Sequence, residues 1–198
     1  MAWIRVINEN EAEKELKTVY DAYKAPWGGV DNIVKIHSLD PKSIKVHMDL
    51  YRLLMYGRSP LSRAQREMIA STVSIANNCR YCINHHGDGL YRLTKNKAFV
   101  EQLRKEYKLA ALSEPEKLML DFAVELTLRP QANHEANVHA LRTAGFTDEA
   151  ILHIVLVISY FNFVNRIAQG LGVGLEEYWT EDGFSREELP MAHDRREE

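Results

Sequence analysis

Apolar residues recur every three or four positions along most of the chain, and alternation with period two is nearly absent. That pattern predicts helices. Residues 8–25 open on asparagines and acids and then carry Leu16, Val19, Tyr20 and Tyr23 at helical spacing, ending before Trp27-Gly28-Gly29. Residues 40–57 place Pro41 near a helix start, repeat apolar positions at Ile44, Met48, Tyr51 and Leu54 or Met55, and stop at Gly57. Ser62 with Gln65 has capping-box spacing ahead of Met68, Ile69, Val73 and Ile75, and that helix frays at Asn77-Asn78. A helix from Cys79 to about Leu93 follows, then one over 96–107. Ser113 with Glu116 opens another, with Pro115 in its first turn. The last two run over 133–145 and 147–172.

About eight helices joined by short loops predict an all-α helical bundle. A single domain covers residues 1–180, and residues 181–198 form a polar, charged tail, either loosely ordered or an arm on a neighbouring subunit. Laid on one another, residues 61–86 and 146–171 match weakly: Ser159 falls on Ser74, Asn162 on Asn77, and Val164 and Ile167 on Cys79 and Cys82. The run from Ile151 to Ile158 is apolar on nearly all faces, which predicts burial around its circumference, at the centre of the domain or in an interface between subunits.

Composition narrows the partners. The 198 residues carry 45% hydrophobic and 27% charged residues and a formal net charge of −3. No basic excess points to nucleic acid, and no Lys/Arg tract points to a membrane surface. The N-terminus lacks a cationic segment followed by an apolar run. The apolar stretch 150–164, interrupted by His153 and Asn162, reads as too short for a membrane span. The expectation is a cytoplasmic protein whose thiols stay reduced unless chemistry uses them.

Both cysteines of the chain and two of its eight histidines lie in the stretch CRYCINHH at 79–86. On a helix, Cys79 and Cys82 are neighbours, within reach of a disulfide. Asn77-Asn78 offers an N-cap just before them, and a helix N-terminus stabilises a thiolate, lowering thiol pKa values from about 8.5 to about 3.5–7.5. His86 lies one turn after Cys82 on the same face, whereas His85 points about a quarter-turn away. Glu67, in the first turns of the preceding helix, shares a face with Ala70, Ser71 and Ser74. Those small residues would let the cysteine helix approach and bring the carboxylate to His86.

Glu67, eleven residues, Cys79-x-x-Cys82, three residues, His86: this string resembles the E-x11-C-x-x-C-x3-H pattern of the AhpD-like alkylhydroperoxidases, within the carboxymuconolactone decarboxylase superfamily. The stretch 61–86 and NFVNRIAQGLGV at 162–173 are similar to its peroxidase-related subgroup. The resemblance implies an AhpD-like helical bundle assembled as a homo-oligomer, trimer or hexamer, and thiol-dependent reduction of a hydroperoxide substrate with no cofactor. It implies that Cys82 attacks the peroxide, that Cys79 resolves the sulfenic acid to a disulfide, and that Glu67 and His86 relay protons. A dithiol or a protein reductant would restore the pair. Tyr81 stands where well-known members carry a histidine, just before the second cysteine. On the residues alone, the helix start favours Cys79 as the more acidic sulfur and the imidazole favours Cys82; the reading follows the imidazole.

Other readings stay open at this point. The pair could serve dithiol–disulfide exchange or redox sensing without peroxide, or the chain could be a decarboxylase-type enzyme, although that branch does not depend on the cysteine pair. Cys79, Cys82, His86 and Glu67 could bind zinc, and two buried cysteines could be inert hydrophobes. His37 and His47, ten apart across Asp40-Pro41, and His134 and His139 read as surface or core-rim residues. Asn162, Asn165 and Arg166 read as contacts to another helix or subunit, or as pocket lining. Trp27 and Trp179 read as packing residues.

Overall fold

The computed structural model describes residues 2–185. Among these, nine α-helices are present: α1 (Lys14–Ala22), α2 (Asn32–Lys35), α3 (Pro41–Tyr56), α4 (Arg63–Ala76), α5 (Arg80–Thr94), α6 (Lys97–Glu106), α7 (Glu114–Leu128), α8 (Glu135–Thr143) and α9 (Asp148–Gly170). Short 3-10 turns at Glu9–Glu11 and Tyr107–Leu109 complete them. The expected all-α class is what the chain adopts, with one helix more than the pattern counted. The extra one is α2, a single turn too short to show a period.

The helix starts follow the predicted chemistry. Ser62, Ser113 and Thr147 each accept the backbone N–H three residues on, at 3.1, 3.4 and 3.1 Å, and Gln65 and Glu116 close the two capping boxes. The turn between α4 and α5 differs from expectation. Asn78 takes the left-handed conformation (φ 53°), Cys79 N–H donates to Ser74 C=O at 2.9 Å, and Asn78 N–H donates to Ile75 C=O at 2.9 Å. This is a Schellman closure, with asparagine at the left-handed position. Cys79 therefore ends one helix and is itself the N-cap of the next, the place the sequence assigned to Asn77-Asn78.

Helix α4 is the hub. It packs along α5, and α7 and α9 close on its other sides. Ile69, Val73, Leu90, Met119, Leu120, Ile154, Ile158 and Phe161 form the centre of the core. A smaller core gathers Leu16, Tyr20, Val30 and Ile44 under α1 and α3. Helix α9 is not buried around its circumference. Ile154, Val157 and Ile158 are buried, but Leu152 is 56% and Phe163 48% exposed. At 23 residues α9 is long and apolar enough to cross a bilayer by length and composition, longer than the sequence reading allowed, yet half of that stretch is buried inside the bundle.

The polar tail begins packed rather than loose. Ser185 N–H donates to Asp88 Oδ1 at 3.2 Å, Arg92 Nη2 donates to Ser185 Oγ at 2.8 Å, and Phe184 is buried beneath the Arg104 guanidinium. Residues 186–198 of the predicted tail lie outside the described residues.

Candidate functional site

Helices α4 and α5 bring the four sequence-predicted residues together. Glu67 is fully buried on α4, and the small neighbours Ala70, Ser71 and Ser74 are buried with it against α5. Its Oε2 lies 2.7 Å from His86 Nδ1, and its Oε1 accepts from Arg63 Nη2 at 3.2 Å. The Arg63 guanidinium stacks 3.9 Å over the Tyr56 ring. A carboxylate can only accept, so His86 donates from Nδ1 and its Nε2 is the basic nitrogen when the ring is neutral. The ring is held edge-on against Phe161 of α9 at 4.5 Å.

Cys79 and Cys82 are free thiols, both buried, and hydrogen-bonded to each other. That bond from Cys82, followed by the amides of Cys82 and Tyr81 at the start of α5 and the charge of His85, pulls Cys79 below the ordinary thiol range, to about 7. The same bond and then burial push Cys82 up, against a hydrogen bond from Asn165. The two titrate as a pair: one proton leaves readily and the other stays between the sulfurs. Cys82, not Cys79, lines a cavity of about 520 Å³, together with His85, His86, Tyr51, Tyr160 and Phe161. The volume suits an organic molecule far larger than hydrogen peroxide.

Several members of the site carry no local sequence signal. Asn165 is fully buried, donates to Ser74 Oγ at 3.2 Å and accepts from Asn77 at 3.0 Å, while Asn162 accepts from Asn77 at 3.1 Å. These are contacts between helices, and through Asn165 they reach the cysteines. They also join α4 and α9 at positions the weak repeat aligns. His47 corrects the surface reading: it is buried, and its Nδ1 lies 3.0 Å from His37 Nε2. The turn at Asp40-Pro41 folds His37 back onto α3, which spacing alone could not show. His85 is also more than a bystander. Its Nε2 lies 2.9 Å from Glu176 Oε2, and Tyr81 donates to the other oxygen of Glu176 at 2.7 Å. Burial is the largest influence on His85 and would lower it, but the charge and hydrogen bond of Glu176, joined by the charges of Asp31 and Asp88, together outweigh it and raise the imidazole. Tyr81, in the place of the family histidine, thus helps anchor the C-terminal segment. Trp27 lines the cavity and donates to Asp31 at 3.0 Å, and Trp179 donates to Glu176 at 2.9 Å. Among the described residues no three histidine, cysteine or acidic side chains are grouped as metal ligands.

Known proteins are similar to this chain to different depths. The family model for the carboxymuconolactone decarboxylase family matches residues 41–98, the span that holds Glu67, both cysteines and His86. The structure of a peroxidase-related protein from Silicibacter sp. TM1040 is 32% identical, with a TM-score of 0.77 over 82% of this chain and 85% of that one. A peroxidase-related protein from Ralstonia eutropha JMP134, described as an alkylhydroperoxidase AhpD core, is 27% identical, with a TM-score of 0.78 over 89% of this chain and 93% of that one. The protein YdfG of Bacillus subtilis (strain 168) is 24% identical over 139 residues, 70% of this chain and 93% of that one. Identity at that depth, sustained over four-fifths of the length and an unbroken set of helices, has one explanation: the chain belongs to the AhpD-like carboxymuconolactone decarboxylase superfamily.

Proposed function

We propose that the protein reduces organic hydroperoxides through Cys82 and Cys79, with Glu67 and His86 handling the thiol proton. The observation that carries this reading is the buried Glu67–His86 hydrogen bond of 2.7 Å at a cavity that also receives Cys82. Once the pair has lost its first proton, leaving Cys79 as the thiolate, Cys82 passes the remaining proton to Cys79, or to His86 one turn away. Its thiolate attacks the terminal oxygen of the hydroperoxide, the O–O bond breaks, and the alkoxide leaves and takes up a proton to become an alcohol. Cys79 then attacks the Cys82 sulfenic acid, and a disulfide and water form. A dithiol reductant returns the pair to two thiols by exchange.

Both assignments of the sulfurs have physical support. Cys79 is the more acidic, but it is screened from the cavity, and a thiolate attacks only what it can reach. Cys82 is the sulfur that meets the cavity, and it attacks in the state in which the shared proton has moved to Cys79 or His86. The burial of both sulfurs disfavours exchange with a bulky protein disulfide as the primary reaction.

The test is a titration of the purified, reduced protein with tert-butyl hydroperoxide, counting free thiols. Loss of two thiols per peroxide, abolished in Cys82→Ser, is the expected result. Thiols that survive excess peroxide exclude the mechanism.

A further inference from the structure

A second chain of polar side chains starts at the same cavity, which both Tyr160 and His47 line. Tyr160 lines the cavity beside Cys82, and its hydroxyl lies 2.7 Å from His47 Nε2. His47 Nδ1 lies 3.0 Å from His37 Nε2, and His37 Nδ1 lies 3.0 Å from Ser43 Oγ. The Ser43 hydroxyl donates to the backbone carbonyl of Asp40 at 2.8 Å. Tyr160 and His47 are buried, whereas His37 and Ser43 are partly exposed at the start of α3. The chain therefore runs from the sulfur cavity to solvent without a gap.

Its polarity follows from counting protons. A carbonyl can only accept, so the single Ser43 proton points at Asp40, and Ser43 Oγ must accept from His37 Nδ1–H. A neutral His37 then accepts at Nε2, so His47 donates from Nδ1. A neutral His47 accepts at Nε2, so Tyr160 donates to it. Every donor points outward, and the Tyr160 oxygen is left as an acceptor at the cavity. Burial, then the charge of its neighbour His37, lowers His47 to about 4; burial lowers His37 too, against the pull of the Asp40 carboxylate, so both rings are neutral near pH 7. The Cys82 sulfur and Tyr56 are the titratable groups that bear on Tyr160, and the Tyr51 ring stacks on it at 5.9 Å.

We propose that Tyr160, His47, His37 and Ser43 form a proton path between the sulfur cavity and solvent, separate from the Glu67–His86 relay, with Tyr160 as the group that exchanges protons inside the cavity. The proposal rests on the peroxidase reading for its use, not for its geometry. When the dithiol pair becomes a thiolate, one proton must leave. Tyr160 accepts it and hands its own to His47, the shift passes outward through His37 to Ser43, and the Ser43 hydroxyl swings off the Asp40 carbonyl to release its own proton to solvent water. Every hydrogen then points inward. When hydroperoxide is cleaved, the alkoxide needs one proton. An inward shift supplies it from solvent and restores the starting tautomers. One proton out and one in per turnover resets the chain with only the Ser43 hydroxyl turning, a match between stoichiometry and geometry that a purely structural cluster does not need.

The experiment has two arms on the full chain. Nitrogen NMR of histidine-labelled, reduced protein at pH 8, assigned with His37→Ala and His47→Gln, reads the tautomers. Both rings are expected as Nδ1–H, the minor form of free histidine, and an Nε2–H ring at either position overturns the proposal. Stopped-flow oxidation of the thiols by tert-butyl hydroperoxide is the second arm. Tyr160→Phe and His37→Ala are expected to slow it by about tenfold and to raise its solvent deuterium isotope effect. Added imidazole is expected to restore His37→Ala, which a structural defect would not allow. Wild-type rates in both variants overturn the path. Wild-type thiols inert to peroxide sink the peroxidase reading instead, and the tautomers then judge the polarity by themselves.

Discussion

Glu67 is the residue on which the site turns. With no solvent exposure, it satisfies two donors at once, Arg63 at 3.2 Å and His86 at 2.7 Å. Glu67→Gln keeps the shape and removes the charge, leaving a guanidinium buried beside a neutral amide. Breaking a buried pair from one side costs about 3 kcal/mol, so the melting temperature falls clearly in calorimetry. Gln has one acceptor oxygen where Glu67 has two, so either Arg63 or His86 Nδ1 then faces an amide N–H, and no charge holds the imidazole's tautomer. The thiol-oxidation rate is expected to fall by about a hundredfold or more, and a variant with a wild-type rate removes Glu67 from the mechanism. The spacing of Glu67, Cys79, Cys82 and His86 was legible in the sequence because all four lie on two consecutive helices, where distance in number converts to distance in space. Arg63 was nearly as accessible, one turn before Glu67 on the same helix. Tyr160, His47 and Asn165 were not, because they approach from α3 and α9.

Among the elements, the segment after α9 shows how a strap is fastened. Glu176 accepts from the Asn32 amide at 2.8 Å and from Tyr81 at 2.7 Å, and pairs with His85. Burial works most strongly, to raise Glu176, but the charge and hydrogen bond of His85 and the donors from Asn32 and Tyr81 together outweigh it and hold the carboxyl below its ordinary 4.5, while the carboxylate in turn helps hold His85 above its ordinary 6.5. The lowered acid contributes stability that is present above pH 4.5 and lost as pH falls through its folded value. The raised imidazole contributes stability that is present below pH 6.5 and lost as pH rises through its folded value. The pair is worth most between those limits. Glu176→Gln is therefore expected to lower the melting temperature most near pH 5.5 and progressively less on the alkaline side, read by thermal scans from pH 4.5 to 9. A penalty that does not vary with pH would remove the charge from the account. Sequence signals did not foresee this strap, since its partners are 91 and 95 residues apart in number.

At the scale of the whole molecule, the described residues leave apolar side chains uncovered on two of the helices. On α3, Val46, Leu50 and Leu53 recur at four- and three-residue spacing, with Val46 70% and Leu53 61% exposed, and on α9 Leu152, Leu156 and Phe163 face out. Monomers rarely expose such sets. We propose that copies of the chain meet through these faces, in keeping with the assembly that the family resemblance implies. Light scattering behind size exclusion is expected to give a multiple of the 22.8 kDa chain mass, falling to the monomer in Leu53→Glu combined with Leu152→Glu. A wild-type monomer at micromolar concentration refutes the assembly. Periodicity identified α9 as unusually apolar and left open whether the domain's centre or a subunit interface buries it; which face the single chain covers depends on how many neighbours pack around it, which is a property of the packed bundle.

The sequence by itself determined the eight longer helices, the caps at Ser62, Ser113 and Thr147, and the placing of two sulfurs, an imidazole and a carboxylate on neighbouring helices. These depend on interactions within about one helical turn or across one tight connection, and the order of residues dictates them directly. The tertiary structure alone decided which sulfur meets the cavity, that His47 is buried and bonded to His37, that His85 is claimed by a distant acid, and that Tyr160 closes the site. Each of those depends on which helix faces which, and that is settled by packing apolar side chains into one dense core, a property of all the helices together.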